Sequence, residues 1–231
     1  MKFISASELR KIYDVYGHFY SIEYPCGNRV DCRSVLEIIT KTSCLEDINS
    51  LSDHKPDCIF IMMNPGSSSP KVDVDNYIAS SKIKNLKVSY VPTKPDTTQY
   101  QVMRIMEIKK WDHIRVLNLS DLRNPKSGEF YSKFTEVESY SDGHIHSLFS
   151  NLRTNELEAK MNMKKGASVV CAWGVSDDLN PLISRCLAQI EYNCNIVGLK
   201  KKGTENKYYH PLPTLQKDKQ DWIEKMSKLL K

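Results

Sequence analysis

Cys58-Ile59-Phe60-Ile61-Met62-Met63 is an unbroken apolar run, and it stops abruptly at Asn64-Pro65-Gly66-Ser67-Ser68-Ser69-Pro70. A run without polar alternation predicts a strand covered on both faces, as in a parallel sheet, and the turn-forming cluster predicts a loop at its carboxyl end. Ligands of open α/β sheets sit at such carboxyl ends. The polar loop from Asn64 onward is therefore the first place to look for chemistry.

Three later runs behave in the same way. Ile114–Leu119 is interrupted by Asn118, Ala167–Ala172 stops at Trp173-Gly174, and Asn195–Leu199 leads through Lys200-Lys201-Lys202-Gly203 to Tyr208-Tyr209-His210-Pro211-Leu212-Pro213. Helical spacing is read over Thr98–Lys110, from about His144 to Met163, across Leu182, Ile183, Cys186, Leu187 and Ile190, and over Asp218–Leu230. Alternating strands and helices predict an α/β fold, a three-layer sandwich around a central, mostly parallel four-stranded sheet. Ahead of it, a helix over Ala6–Tyr13 with Ser5 or Ser7 as cap is followed by paired strands, Phe19–Tyr24 and Ser34–Thr40. Residues 1–56 are thus expected to form an added N-terminal hairpin packed on a core at 57–231, in one compact domain. Ser67–Thr98 is a long polar stretch of the kind that often carries function, and Asn124–Asp142 reads as polar and turn-rich.

A formal net charge of +5 over 231 residues favours an acidic partner such as nucleic acid. No apolar run approaches the roughly 20 residues that span a bilayer, and Met1–Leu9 lacks the apolar core of a secretion signal, so the expected location is the cytoplasm with no membrane partner. Seven cysteines without a C-x-x-C pair are expected to be reduced thiols. Cys26, Cys32, Cys44 and Cys58 follow no iron–sulfur ligand spacing. Neither metal nor cofactor is expected.

If the sheet is parallel, Asn64, Asn118, Trp173-Gly174 and His210 come from four strand ends on one edge. Singly, each fits a turn or packing role. Together and in this order they resemble the uracil-DNA glycosylase superfamily. Met62-Met63-Asn64-Pro65-Gly66-Ser67-Ser68 is similar to the G-x-N-P-G motif of the mismatch-specific thymine/uracil branch, Val116-Leu117-Asn118 to its L-L-N, Ala172-Trp173-Gly174 to its L-W-G, and His210-Pro211-Leu212-Pro213 to its H-P-S or H-P-x-P-L. The resemblance spans roughly residues 57 to 215. The N-P, W-G and H-P-L segments also resemble an uncharacterised family of bacterial and phage proteins.

The superfamily resemblance implies a monofunctional DNA glycosylase that flips a modified or mismatched pyrimidine out of single- or double-stranded DNA and hydrolyses its N-glycosidic bond, with no obligate protein partner. Asn64 would orient the water, assisted by a carboxylate from Asp73, Asp75 or Asp96, and a neutral His210 would donate to the developing base oxyanion. Met63, Pro65, Gly66, Ser67, Asn118, Trp173 and Gly174 would line the base pocket. Ser68, Arg123, Lys201, Lys202, Lys207, Pro211, Leu212 and Leu215 would meet DNA, with Leu212 or Leu215 as the wedge. The uracil-specific branch has aspartate and tyrosine where Asn64 and Gly66 stand here, which suggests room for a C5 substituent, as in modified phage DNA. DNA repair and phage defence both fit. Two alternatives stay open: a catalytically silent reader or decoy, and a nucleoside or nucleotide hydrolase.

Overall fold

The computed structural model describes residues 3–43, 45, 47–190 and 194–230. Helix α1 (Ala6–Ile12) opens on a capping box: the Ser5 hydroxyl accepts the Glu8 N–H at 3.2 Å, and the Glu8 carboxylate accepts the Ser5 N–H at 2.8 Å. Strands β1 (Tyr13–Glu23) and β2 (Arg29–Thr40) form an antiparallel hairpin, longer than expected, with an irregularity between His18 and Phe19. Strand β3 (Cys58–Met62) is the apolar run, and all five of its residues are buried.

The polar stretch after β3 is less irregular than its composition suggests. It holds β4 (Ser69–Pro70), β5 (Tyr77–Ala79) and β6 (Val91–Lys94), because the outer edge of β1 offers unpaired backbone: β6 pairs with it antiparallel at Tyr16 and Gly17, and β5 parallel at Ser21–Glu23. Next come α2 (Thr97–Lys109), β7 (His113–Asn118), α3 (Ser127–Glu138), α4 (Thr154–Lys160), β8 (Ser168–Cys171), α5 (Asn180–Ile190), β9 (Asn195–Val197) and α6 (Gln216–Leu229).

Two expectations are corrected here. The segment read as turn-rich contains α3, whose Phe130, Phe134 and Val137 recur at helical spacing and are buried. The helix expected from His144 begins only at Thr154. Before it, Ser147 donates to the Leu119 carbonyl at 2.7 Å while its hydroxyl accepts the Phe149 N–H, so local side-chain bonds replace the helical ladder.

The described strands make one nine-stranded mixed sheet in the order β4-β6-β1-β2-β7-β3-β8-β9, with β5 beside β1. The fold is α/β, but the sheet is wider than the expected four strands and is not mostly parallel: the long β1–β2 ladder and the pairings of β6 with β1, β2 with β7 and β4 with β6 make more of its paired residues antiparallel than parallel. β7, β3, β8 and β9 pair in parallel, and β2 joins β7 antiparallel through Leu36–Val116 and its neighbours. The N-terminal hairpin is thereby a continuation of the sheet.

Alternation along β3 sends Ile59 and Ile61 to a core shared with α3, α4 and α5, and Cys58, Phe60 and Met62 to a core shared with α1, α2 and α6. Burying an Ile, Phe or Met side chain is worth about 1.5–3 kcal/mol, so this short strand fixes both helical layers at once. Among the described residues, no helix is long and apolar enough to cross a membrane.

Candidate active site

Chain direction makes the carboxyl ends of β3 and β7 neighbours. The Leu119 N–H donates to the Met62 carbonyl at 2.8 Å and the Ser120 N–H to that of Met63 at 3.2 Å, locking the two departing loops together. Between them lies a cavity of about 200 Å³ whose lining includes the polar side chains of Arg33, Asn64, Asp96, Asn118 and His210, together with Gly66.

Asn64 is held at one end of its amide. Its Nδ2 reaches the carbonyls of Pro65 at 3.0 Å, Leu122 at 3.2 Å and Asn124 at 2.8 Å. A carbonyl accepts only from a donor, so these partners assign the nitrogen and leave Oδ1 as the acceptor available to the cavity. The turn that supplies them is closed by the Asn124 N–H to the Pro65 carbonyl at 3.1 Å.

His210 is positioned from four sides. Gln101 Nε2 on α2 donates to the Pro211 carbonyl at 3.0 Å, Trp222 Nε1 on α6 to that of Tyr209 at 3.0 Å, Trp173 Nε1 to that of Asn206 at 2.9 Å, and the Gly174 N–H to that of Tyr208 at 2.8 Å. Burial lowers the imidazole pKa to about 4, against the opposing pull of Asp96. The Leu212 N–H donates to Nδ1 at 3.2 Å. The neutral ring therefore carries its proton on Nε2, as a donor.

Asp96 caps α2: its Oδ1 accepts the N–H groups of Thr98 at 2.9 Å and Gln99 at 3.2 Å. Its Oδ2 lies 3.0 Å from the point where a Cβ on Gly66 would stand. A carboxylate oxygen thus stands where a side chain on Gly66 would point, and it narrows the room expected there for a C5 substituent.

Asn118 is 1% exposed. Its Oδ1 accepts from Arg33 Nη2 at 3.1 Å, while its Nδ2 has no partner among the described residues. Arg33, on the hairpin, is missing from the sequence-based site. Its signal is a charge inside the largely apolar strand Val30–Thr40, where side chains of this kind are buried only for a reason.

Of the expected pocket residues, Met63, Gly66, Ser67 and Asn118 line the cavity together with Asn64 and His210. Pro65 is buried beside it and offers only its carbonyl. Trp173 and Gly174 lie elsewhere: the indole packs edge-on against Tyr208 at 5.4 Å, and Gly174, at φ 107°, takes a turn that favours glycine. They aim the His210 segment and do not touch the pocket.

Of the carboxylates, Asp96 is at the cavity, whereas Asp73 and Asp75 are exposed and do not line it. Among the expected DNA contacts, Ser68 and Pro211 are buried, and Leu212 faces the cavity. Lys207 is buried too: its ammonium is tied to the Ser176 carbonyl, the Asn180 side chain and Asp177, so it is a structural cation. Arg123 is half-buried, with Nη2 on the Ser68 carbonyl at 3.3 Å and its guanidinium over Phe19. Lys201 and Lys202 are exposed, and Leu215 is 63% exposed.

Of the cysteines weighed as cluster ligands, Cys26 is exposed, Cys32 and Cys58 are buried on β2 and β3, and Cys44 lies outside the described residues. Among the described residues, no three His, Cys, Asp or Glu side chains group as metal ligands.

Residues 89–212, more than half of the chain, match a family described as Protein of unknown function (DUF1643). The matched segment includes Asp96, Asn118 and His210 and leaves out Arg33 and Asn64. No curated protein and no solved structure matches the chain.

Proposed function

We propose that this chain, which belongs to the family of proteins of unknown function (DUF1643), is a DNA glycosylase that removes a modified or mismatched pyrimidine. One observation carries the reading: Asn64, whose Nδ2 is committed to backbone carbonyls so that Oδ1 is its remaining acceptor, lines one cavity at the ends of β3 and β7 together with Asp96 and a neutral His210 whose Nε2 is a donor. N-glycosidic hydrolysis needs a held water on one side of the sugar and a donor to the departing base oxygen on the other.

In this reading, Asn64 Oδ1 and Asp96 hold the water, His210 Nε2 donates to the base O2, and Asn118 reads the flipped base. Exposed Lys201 and Lys202 contact phosphate, and Leu215 fills the vacated stack. The parallel run β7-β3-β8-β9 serves as the glycosylase-like core, with helices on both faces as its outer layers. The setting is the cytoplasm, with DNA repair or phage defence as the role.

The test is release of abasic sites from DNAs carrying uracil, mismatched thymine, hydroxymethylcytosine or glucosylated hydroxymethylcytosine, with Asn64→Ala and His210→Ala alongside. Alkali-sensitive breaks on one substrate, lost in both variants, are expected. A second reading, a protein that binds the base without cleaving it, draws on Asn64 itself, since an amide is a poor base. It predicts salt-sensitive DNA binding with intact DNA throughout. Hydrolysis of free nucleosides with little salt dependence would point instead to a monomer hydrolase.

A further inference from the structure

Arg33 is the one cavity residue supplied by the hairpin, and only 1% of it is exposed. Its Nη2 is engaged by Asn118 Oδ1, but Nε and Nη1 have no hydrogen-bond partner among the described residues. Asn118 Nδ2 is in the same condition. A buried guanidinium with idle donors, next to a buried amide with an idle donor, is an arrangement that native interiors avoid unless water, an ion or a ligand completes it.

The charges around it do not complete it. Asp96 attracts Arg33 electrostatically, yet its Oδ1 is committed to the α2 cap; Asp121 adds a weaker attraction, and Arg123 repels. Arg33 and Asn118 both line the cavity, so their pair brings to its wall three donors without a partner among the described residues together with the guanidinium charge, which Asp96 across the same cavity only partly offsets. Such an edge gains little from a neutral base and much from one that has become negative, which is the condition for selective stabilisation of charge as it develops.

We infer that Arg33 and Asn118 form a cationic edge that holds the excised base as its anion, making Arg33 a catalytic residue of the proposed glycosylase. This rests on the glycosylase reading. In the step concerned, the water oxygen bonds to C1′ of the sugar and the C1′–N1 bond breaks with its electron pair left on the base. The water proton passes to the Asp96 carboxylate and on to solvent. The base leaves the pocket as an anion and takes a proton from solvent. His210 Nε2 meets the base O2, and Arg33 spreads the remaining charge over the ring.

The test reads binding rather than turnover. The full chain is titrated at pH 8 with uracil and with 6-azauracil, which has nearly the same shape but a more acidic ring N–H, so more of it is anionic. The wild type is expected to bind 6-azauracil roughly tenfold more tightly than uracil, a difference typical of a charge placed in a low-dielectric site. Arg33→Met, which keeps the side-chain length, is expected to lose that preference while still binding uracil.

Equal affinities in the wild type overturn the inference without any variant, so misfolding of Arg33→Met does not leave it open. A preference kept in a folded Arg33→Met also overturns it. Base release from DNA without anion preference sinks this inference alone, whereas no base release and no binding of either free base sinks the glycosylase reading with it.

Discussion

Asn64 Nδ2 lies 2.8 Å from the carbonyl oxygen of Asn124, and the carbonyls of Pro65 and Leu122 stand close to the same nitrogen. The residue heading the first motif is thus an amide for a structural reason: this corner of the turn needs a donor. A carboxylate there would face three carbonyl oxygens with nothing to give them.

Asn64→Asp is accordingly expected to destabilise the protein by about 1–3 kcal/mol, the range for a buried polar group left without its partner, and not to raise base release above wild type. Chemical denaturation and the abasic-site assay measure the two effects. A variant as stable as the wild type would mean that the amide is not held in this way.

His210 sets the pH dependence. Its folded pKa of about 4 lies below the ordinary histidine value, so between these pH values the unfolded chain binds the proton and the folded chain does not. Stability is therefore expected to rise with pH across that window and to be lost as pH falls toward 4. His18, pushed down to about 3 mainly by burial, acts in the same direction. His210→Gln should flatten part of the slope seen in denaturation at pH 4.5 and 7. Base release by the wild type should show no histidine limb near pH 6.5.

Glu37 holds the far end of the same hairpin. Fully buried, it accepts from Arg115 Nε at 2.6 Å and from the Tyr90 hydroxyl at 2.9 Å, and pairs with His113 at 2.7 Å. Although burial disfavours its charge, Arg115 and His113 bring its pKa below the usual carboxylate value. Glu37→Ala strands Arg115 in the interior and is expected to cost about 3–5 kcal/mol, read as a lowered melting temperature.

Lys201 and Lys207 make an informative pair, six positions apart. If DNA is the partner, Lys201→Ala should lower the salt slope of binding by about 1 and leave stability unchanged. Lys207→Ala should do the reverse, because its ammonium is spent on Ser176, Asn180 and Asp177. A salt titration and a melt on each variant separate the two.

The α/β class was legible because apolar runs such as Ile59–Met62 end in turn residues and alternate with helical spacing, whereas the joining of the hairpin and of the short strands β4, β5 and β6 into the same sheet left no such pattern. The helix after Asp96 was legible from its spacing and lies within one residue of Thr98–Lys110. Arg33 and Glu37 were easy to pass over because a charged residue in a strand normally marks a solvent face, whereas Glu37 is buried opposite Arg115 of β7 and Arg33 is buried against Asn118 and the Asp121 backbone. Trp173 and Lys207 misled for the opposite reason: their types suit a pocket and a phosphate, but hydrogen bonds across the His210 segment and to the start of α5 consume them. Such bonds join residues distant in the chain and leave no periodic trace.

Arg33 and His210 come from opposite ends of the chain and line one cavity. Every such pairing closes a long loop, and long-range closures are slow steps in folding. The cavity is therefore absent from partly folded states in which either the hairpin or the C-terminal segment has yet to dock. Whatever occupies it binds the fully assembled chain alone, and will raise the melting temperature with the logarithm of its concentration relative to its dissociation constant.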